Sequence, residues 1–259
     1  SINDRRKIIF IPYNDIETSK KILQKNKDKI NSIIVEPIQA CLPLNNSKLY
    51  LKFLEKFCKK NNSTLIFDEI ITGIRSHNNS VQQNYKIRPD ITTIGKIVGG
   101  GMPIGIIGIS KKVYTHIKEK KIFYGGTFSG NSLSSFVGNE TLKYLISNKQ
   151  IIKKINKKSK YFQDNLNEFI LSNKMNLKIY RYSSILRIVY TNNKVDNRTQ
   201  RDFFESKITS KIDKFKNFLF KKNIYYPSSG IIFFSDATSY KNIDYVIKNI
   251  KIAFKKYFK

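Results

Sequence analysis

Four short stretches of this chain combine residue types that could do chemistry. Asp68 and Glu69 close the apolar run TLIF. Lys96 follows DITTIG and stands just before Val98-Gly99-Gly100-Gly101-Met102-Pro103. Gly125-Gly126-Thr127-Phe128-Ser129-Gly130-Asn131 is a loop of glycines and hydroxyls. Glu36-Pro37 closes the run SIIV. A lysine amine can condense with an aldehyde to a Schiff base, and neighbouring glycines let a ligand come close to the backbone. A carboxylate buried at a strand end is costly unless paired, and a protonated ring nitrogen would be such a partner. Backbone N–H groups and hydroxyls of a Gly/Thr loop at a helix start suit a phosphate. Taken singly, each stretch has an ordinary structural explanation: a capped strand end, one lysine among dozens, a turn.

Such residues need a scaffold that brings them to one edge. From residue 8 to about 145, short β-branched runs read as buried strands at 32–37, 64–68, 90–94 and 104–109. Between the first two, SKLYLKFLEKFCKK places Leu51, Leu54, Phe57 and Cys58 at helical spacing, with Ser47 as its N-cap. Residues 8–13 (IIFIPY) read as a strand running into a loop. Apolar strands alternating with amphipathic helices predict an α/β unit with a largely parallel sheet. In such sheets ligands sit at the carboxyl ends of the strands, where all four stretches fall. Beyond about residue 148 the pattern changes to a smaller α+β unit. It has a helix at 151–171, a strand at 184–190, a helix at roughly 201–222, a strand at 230–235 and a final helix at 241–257 capped by Ser239. The polar stretch 191–197 reads as a surface loop. The expected division is 1–148 and 149–259.

The 259 residues carry 48 Lys+Arg against 19 Asp+Glu, a formal net charge of +29. Alone, that suggests a polyanion partner. Lysine arrives with an excess of Asn and Ile and no Trp, the residues of an AT-rich coding bias. It is also spread along helix faces (Lys20, Lys21, Lys25, Lys27, Lys29) rather than gathered in one arm, so no nucleic-acid partner is expected. Cys41 and Cys58 lack metal-ligand spacing and read as free thiols of a reducing, cytoplasmic compartment. His77 and His116 are too few and too far apart for a metal site. No apolar run reaches the ~18 residues of a membrane span, and no signal peptide is visible.

The wording of the four stretches carries a resemblance. IIVEPIQA, LIFDEIITGIR, RPDITTIGKIVGGGMPIG and YGGTFSGNSL, in that order, resemble the signature blocks of the class III aminotransferases that depend on pyridoxal 5'-phosphate. They resemble most the glutamate-1-semialdehyde 2,1-aminomutase group. In weaker form the resemblance covers nearly all of the chain. IIFIPYNDIETSKKIL is similar to the approach to the EP strand, and YYPSSGIIFFSDATSYKNID to the family's small-domain ending. It implies a PLP-dependent transferase of fold type I, of which this chain is the latter part of the large domain, with a mostly parallel sheet, plus a small α+β C-terminal domain. It further implies that Lys96 holds pyridoxal phosphate as a Schiff base and that Asp68 pairs with the ring nitrogen. Thr127 would reach the phosphate of the neighbouring subunit's cofactor in a homodimer. Ile71 stands where many class III transaminases have a Gln that touches the ring and the aminomutases have an apolar residue.

Three departures bear on substrate: Ser132 replaces the family's usual Pro, Thr238 the aminomutases' usual His, and EPIQACLP is closer to aminomutase-like modules of peptide and polyketide synthases. The family's phosphate-cradling Gly/Ser-Thr loop and ring-stacking aromatic belong to its first half and are not found ahead of Ile8. The implied function is amino-group transfer on a small amino, keto or semialdehyde substrate, by an aminomutase or a transaminase. Two alternatives stay open: a general class III aminotransferase of a biosynthetic pathway, and an inactive fragment holding half of a cofactor site.

Overall fold

The structure is a computed structural model describing residues 8–76, 80–123 and 125–259; His77 and Tyr124 lie outside the described residues. Its first sheet runs β1 (Ser32–Val35), β2 (Thr64–Glu69), β3 (Ile91–Ile94), β4 (Ile106–Ile109) in spatial order. β1, β2 and β3 are parallel neighbours, and β4 closes the edge antiparallel to β3. The β-branched runs form these strands because Ile, Val and Thr fit a pleated surface with a helix over it. α1 (Ile16–Lys25) precedes β1, α2 (Lys48–Lys60) links β1 to β2, the short α3 (Val81–Tyr85) comes before β3, and α4 (Lys111–Glu119) follows β4. α2 buries Leu51 and Leu54 completely against Leu65 and Phe67. Each such leucine contributes about 1.5–3 kcal/mol of apolar burial. The sheet's opposite face leaves Ile34 and Ile107 each 68 % exposed.

A second, antiparallel sheet contains β5 (Lys178–Tyr182), β6 (Ile185–Val189) and β7 (Ile231–Ile232). After β4 and α4, the helix α5 (Ser132–Ser147) leads into α6 (Gln150–Ser172); α7 (Arg198–Ser206), α8 (Thr209–Phe220) and α9 (Tyr240–Tyr257) complete the set. Its core joins Phe162 and Leu166 of α6, Ile188 of β6, Phe215 of α8 and Phe254 of α9. A bridging cluster packs Leu42 and Leu44 against Val189 and Val195, so the loop after β1 rests on the second sheet.

Several expectations are corrected. Residues 8–13 form no strand. Ser47 does start α2, but in helical geometry and without capping it; its hydroxyl donates to Pro37 O at 2.9 Å instead. The helix expected at 201–222 is two helices broken at Lys207–Ile208, and the strand expected at 230–235 pairs only over Ile231–Ile232. β5 was not anticipated. The stretch 191–197 is irregular as expected, yet buries Thr191 and Val195. Ser239 caps α9 as expected, accepting from Asn242 N at 3.1 Å. Lys20, Lys21, Lys25, Lys27 and Lys29 are all exposed. No helix of the described residues is long and apolar enough to cross a membrane, and none of their His, Cys, Asp and Glu group to hold a metal ion.

Of the two carboxylates that close β2, one is structural. Glu69 is fully buried and accepts from Val81 N at 2.8 Å, Gln82 N at 3.0 Å and Thr72 Oγ1 at 3.1 Å. It therefore ties the start of α3 and the turn after β2 to the strand end. Burial pushes its pKa up, while those three donors pull the other way. Glu69→Ala strands two backbone N–H donors in the interior and is expected to cost roughly 2–4 kcal/mol, read as a lower urea midpoint. A midpoint equal to wild type would contradict this role.

Candidate active site

The carboxyl ends of β1, β2 and β3 lie side by side, and the register sets what meets there. Val35 pairs with Phe67, and Asp68 with Thr93, so Glu36, Asp68 and the turn carrying Lys96 emerge along one edge. Asp68 is half-buried and on the opposite face from Glu69, since neighbours in a strand alternate. Its Oδ1 accepts from Ile70 N at 3.1 Å and Thr93 Oγ1 at 3.2 Å. Oδ2 takes no bond from a described residue and remains available as an acceptor. Thr93, which fixes the carboxylate, could have been suspected from its place in DITTI but not its partner. Glu36 stands next to Asp68 across the strands and accepts from Ala40 N at 3.0 Å. Burial pushes its carboxyl up; Ala40 N–H opposes this, Asp68 adds to it, and Arg198 of α7 opposes it.

Lys96 opens a short 3-10 turn (Lys96–Gly99) directly after β3. Its φ is 54°, the left-handed region that a side chain rarely adopts, at a cost on the order of 1–3 kcal/mol. Its amine is exposed and makes no ion pair or hydrogen bond with a described residue. Two of the adjacent glycines serve packing rather than a ligand. A Cβ on Gly99 would lie 3.0 Å from Ile104 Cγ2, and one on Gly100, itself at φ 56°, would run into the Thr141 hydroxyl of α5. Gly101 alone faces open space. The triple glycine thus lets α5 close on the Lys96 turn, which holds the lysine at the edge.

Thr127 is exposed in the turn before α5, and Asn131 caps that helix by accepting from Ser134 N at 3.0 Å. The expected loop before a helix is therefore present, but it follows α4 and not, as expected, the end of a strand. Ile71 is half-buried in the turn after β2. Sequence reasoning missed the charged side of the edge that α7 supplies. Arg201 is buried, donates to Cys41 O, and lies 3.6 Å from Glu205. The donor set at the edge suits a cationic heteroaromatic ring carrying an aldehyde: among the described residues Asp68 has a free acceptor oxygen and Lys96 a free amine.

Solved structures share this arrangement of elements. The chain superposes on a β-phenylalanine aminotransferase from Variovorax paradoxus with a TM-score of 0.85 and 21% identity, covering 96% of this chain and 57% of that one. On a glutamate-1-semialdehyde aminomutase from Pseudomonas aeruginosa, in complex with PMP, the TM-score is 0.80 at 12% identity, covering 95% and 56%. At these identities the likeness establishes the fold of the aminotransferases. The family described as aminotransferase class-III matches residues 6–201, and this chain belongs to it. Similar relatives are the glutamate-1-semialdehyde 2,1-aminomutases of Thermosipho melanesiensis, 35% identical over 228 residues (87% of this chain, 51% of the relative), and Methanococcus vannielii, 36% identical over 257 residues (96% and 58%). The chain thus spans about half the length of the curated relatives it matches.

Proposed function

We propose that the whole protein transfers an amino group with pyridoxal phosphate, either between two carbons of one small substrate, as an aminomutase, or from an amino donor to a keto or aldehyde acceptor. The observation that carries this reading is the edge itself: a strand-end carboxylate with one oxygen free, beside the strand whose end holds an unpaired lysine in a strained conformation. When bound, the cofactor supplies an aldehyde that takes up the amino group and a protonated ring that withdraws electrons. Asp68 holds the proton on the ring nitrogen, with Thr93 and Ile70 N–H keeping its carboxylate in place. Lys96 would anchor the cofactor through its amine and, when that amine is free, serve as the general base for proton transfer at the substrate carbon that bears the amino group. Ile71 presents an apolar side chain to the ring, and the Thr127 hydroxyl donates to the phosphate held by the neighbouring subunit.

That last role needs a homodimer. α5 supports one: it buries only Ser134, Gly138 and Leu145 and exposes Leu133, Phe136, Tyr144 and Ile146 by 58, 65, 61 and 65 %, an apolar patch of the kind that marks an interface. Residues 1–148 would be the latter part of the cofactor-binding domain and 149–259 the small domain. The free thiols Cys41 and Cys58 support a cytoplasmic setting, and the dispersed lysines support a small-molecule substrate over a nucleic acid or a membrane.

The aminomutase relatives and Ile71 favour transfer within one molecule. EPIQACLP and Thr238 favour the second reading, a biosynthetic class III aminotransferase. Incubating the cofactor-loaded whole protein with glutamate 1-semialdehyde alone separates them. The aminomutase reading expects the isomer with the amino group on the neighbouring carbon, with no second donor. Turnover only when a separate amino donor is added would favour the aminotransferase. No transfer with any donor or acceptor would contradict both.

A further inference from the structure

We propose that Arg75 is an anion receptor at the active edge that takes a carboxylate group of the substrate. This rests on the reading above for its position beside the reacting centre. Arg75 ends the turn after β2, and that turn lies against the segment leading to Lys96. A Cβ on Gly73 would stand 2.9 Å from Glu69 O and 3.2 Å from Ile94 Cγ2, and one on Gly95 would be 3.4 Å from Ile70 Cγ2. The next residue, Ser76, is clasped between α3 and the second sheet, since its Oγ lies 2.6 Å from Asn84 Nδ2 of α3 and 3.3 Å from the Tyr182 hydroxyl of β5. The Arg75 backbone is therefore fixed where the two sheets meet.

The side chain is unusual in what it lacks. Its guanidinium carbon lies 4.6 Å from the centre of the Phe233 ring, just past β7, and its Nε is buried without an acceptor. The other buried or half-buried guanidiniums among the described residues each have an ionic or side-chain hydrogen-bonding partner, although Arg187 Nε, like Arg75 Nε, is left without an acceptor. Arg187 pairs with Glu205 at 2.8 Å. Arg201 pairs with Asp202 and lies 3.6 Å from Glu205. Arg181 donates to Gln163 Oε1 at 2.9 Å and Ser183 O at 2.7 Å. Arg75 has no ion pair and no side-chain hydrogen bond with a described residue, and burial lowers its pKa. A desolvated cation without a counter-anion is costly unless a ligand supplies one. Packing on Phe233 engages the planar group by its face and leaves its N–H donors without an acceptor among the described residues, and a guanidinium fork suits both oxygens of a carboxylate.

The test uses glutarate, a carboxylate probe without an amine, titrated calorimetrically into the whole protein loaded with pyridoxal phosphate. Wild type is expected to bind it in the millimolar range or tighter. Arg75→Gln should weaken binding about 10- to 100-fold, the loss of charge-assisted hydrogen bonds, with the near-UV circular dichroism and the covalently held cofactor unchanged. Arg75→Lys keeps the charge and the stem, so it covers the case in which Arg75→Gln fails to fold. It should still lose several-fold, because an ammonium cannot grip both oxygens. Equal glutarate affinity in either variant, or none in wild type, overturns the proposal while leaving Lys96 chemistry intact. If instead the cofactor is not held at Lys96 but glutarate still depends on Arg75, the catalytic reading fails and the anion site stands.

Discussion

Lys96→Ala in the whole protein is expected to abolish covalent retention of pyridoxal phosphate and to lower amino-group transfer by on the order of 10³-fold or more, as when a nucleophile is removed. Three features of the structure lead there. The amine has no partner among the described residues, its backbone is held at φ 54°, and the turn is packed by α5 at Gly100 and by Ile104 at Gly99. Lys86, Lys121 and Lys174 share the left-handed backbone, so it is the free amine and the packed turn at the strand end that set Lys96 apart. The fold should survive, because the exposed side chain contributes no burial; an unchanged far-UV spectrum and urea midpoint check this. Lys96→Arg should fail equally, since a guanidinium cannot condense with an aldehyde. Activity and covalent cofactor persisting in Lys96→Ala would refute the assignment.

Asp68→Asn carries the second large effect. The amide keeps the shape, and its oxygen can still accept from Ile70 N and Thr93 Oγ1 as Oδ1 does now, at 3.1 and 3.2 Å. What is lost is the negative charge that holds a proton on the ring nitrogen. Turnover is expected to fall about 10²–10³-fold, the scale for losing one preorganised electrostatic contact in a water-poor site, while the cofactor stays attached through Lys96. Spectra of the bound cofactor separate the two effects: attachment unchanged, turnover lost. A rate within a few-fold of wild type would place the charge partner elsewhere.

The parallel order of β1, β2 and β3 was legible because apolar runs of strand length alternate with an amphipathic helix whose leucines recur every three to four residues. Antiparallel β4 could not be told from a parallel strand by composition, since direction is set by the length and path of the connection. β5 escaped notice because KIYRY carries Lys178 and Arg181, whose polar heads break up the apolar signal, and its buried residues Ile179 and Tyr182 stand three apart, not two. α7 and α8 were merged because no Gly or Pro marks the break at Lys207–Ile208. At the site, Asp68 and Lys96 could be picked out by residue type and place after a strand. The roles of Thr93 and Arg75 could not, because their significance lies in partners: the Asp68 carboxylate for one, and a ring far along the chain at Phe233 for the other. The triple glycine was read as room for a ligand, and only the packing of Thr141 of α5 against Gly100 and of Ile104 against Gly99 shows two of the three serving packing.

The most direct measurement is to treat the whole protein with borohydride in the presence of pyridoxal phosphate, which reduces a lysine–aldehyde linkage to a stable bond, and to map the modified peptide by mass. Among so many lysines the account predicts one stoichiometric adduct, on Lys96; an adduct on another lysine, or a scatter of substoichiometric adducts with none at Lys96, would contradict it.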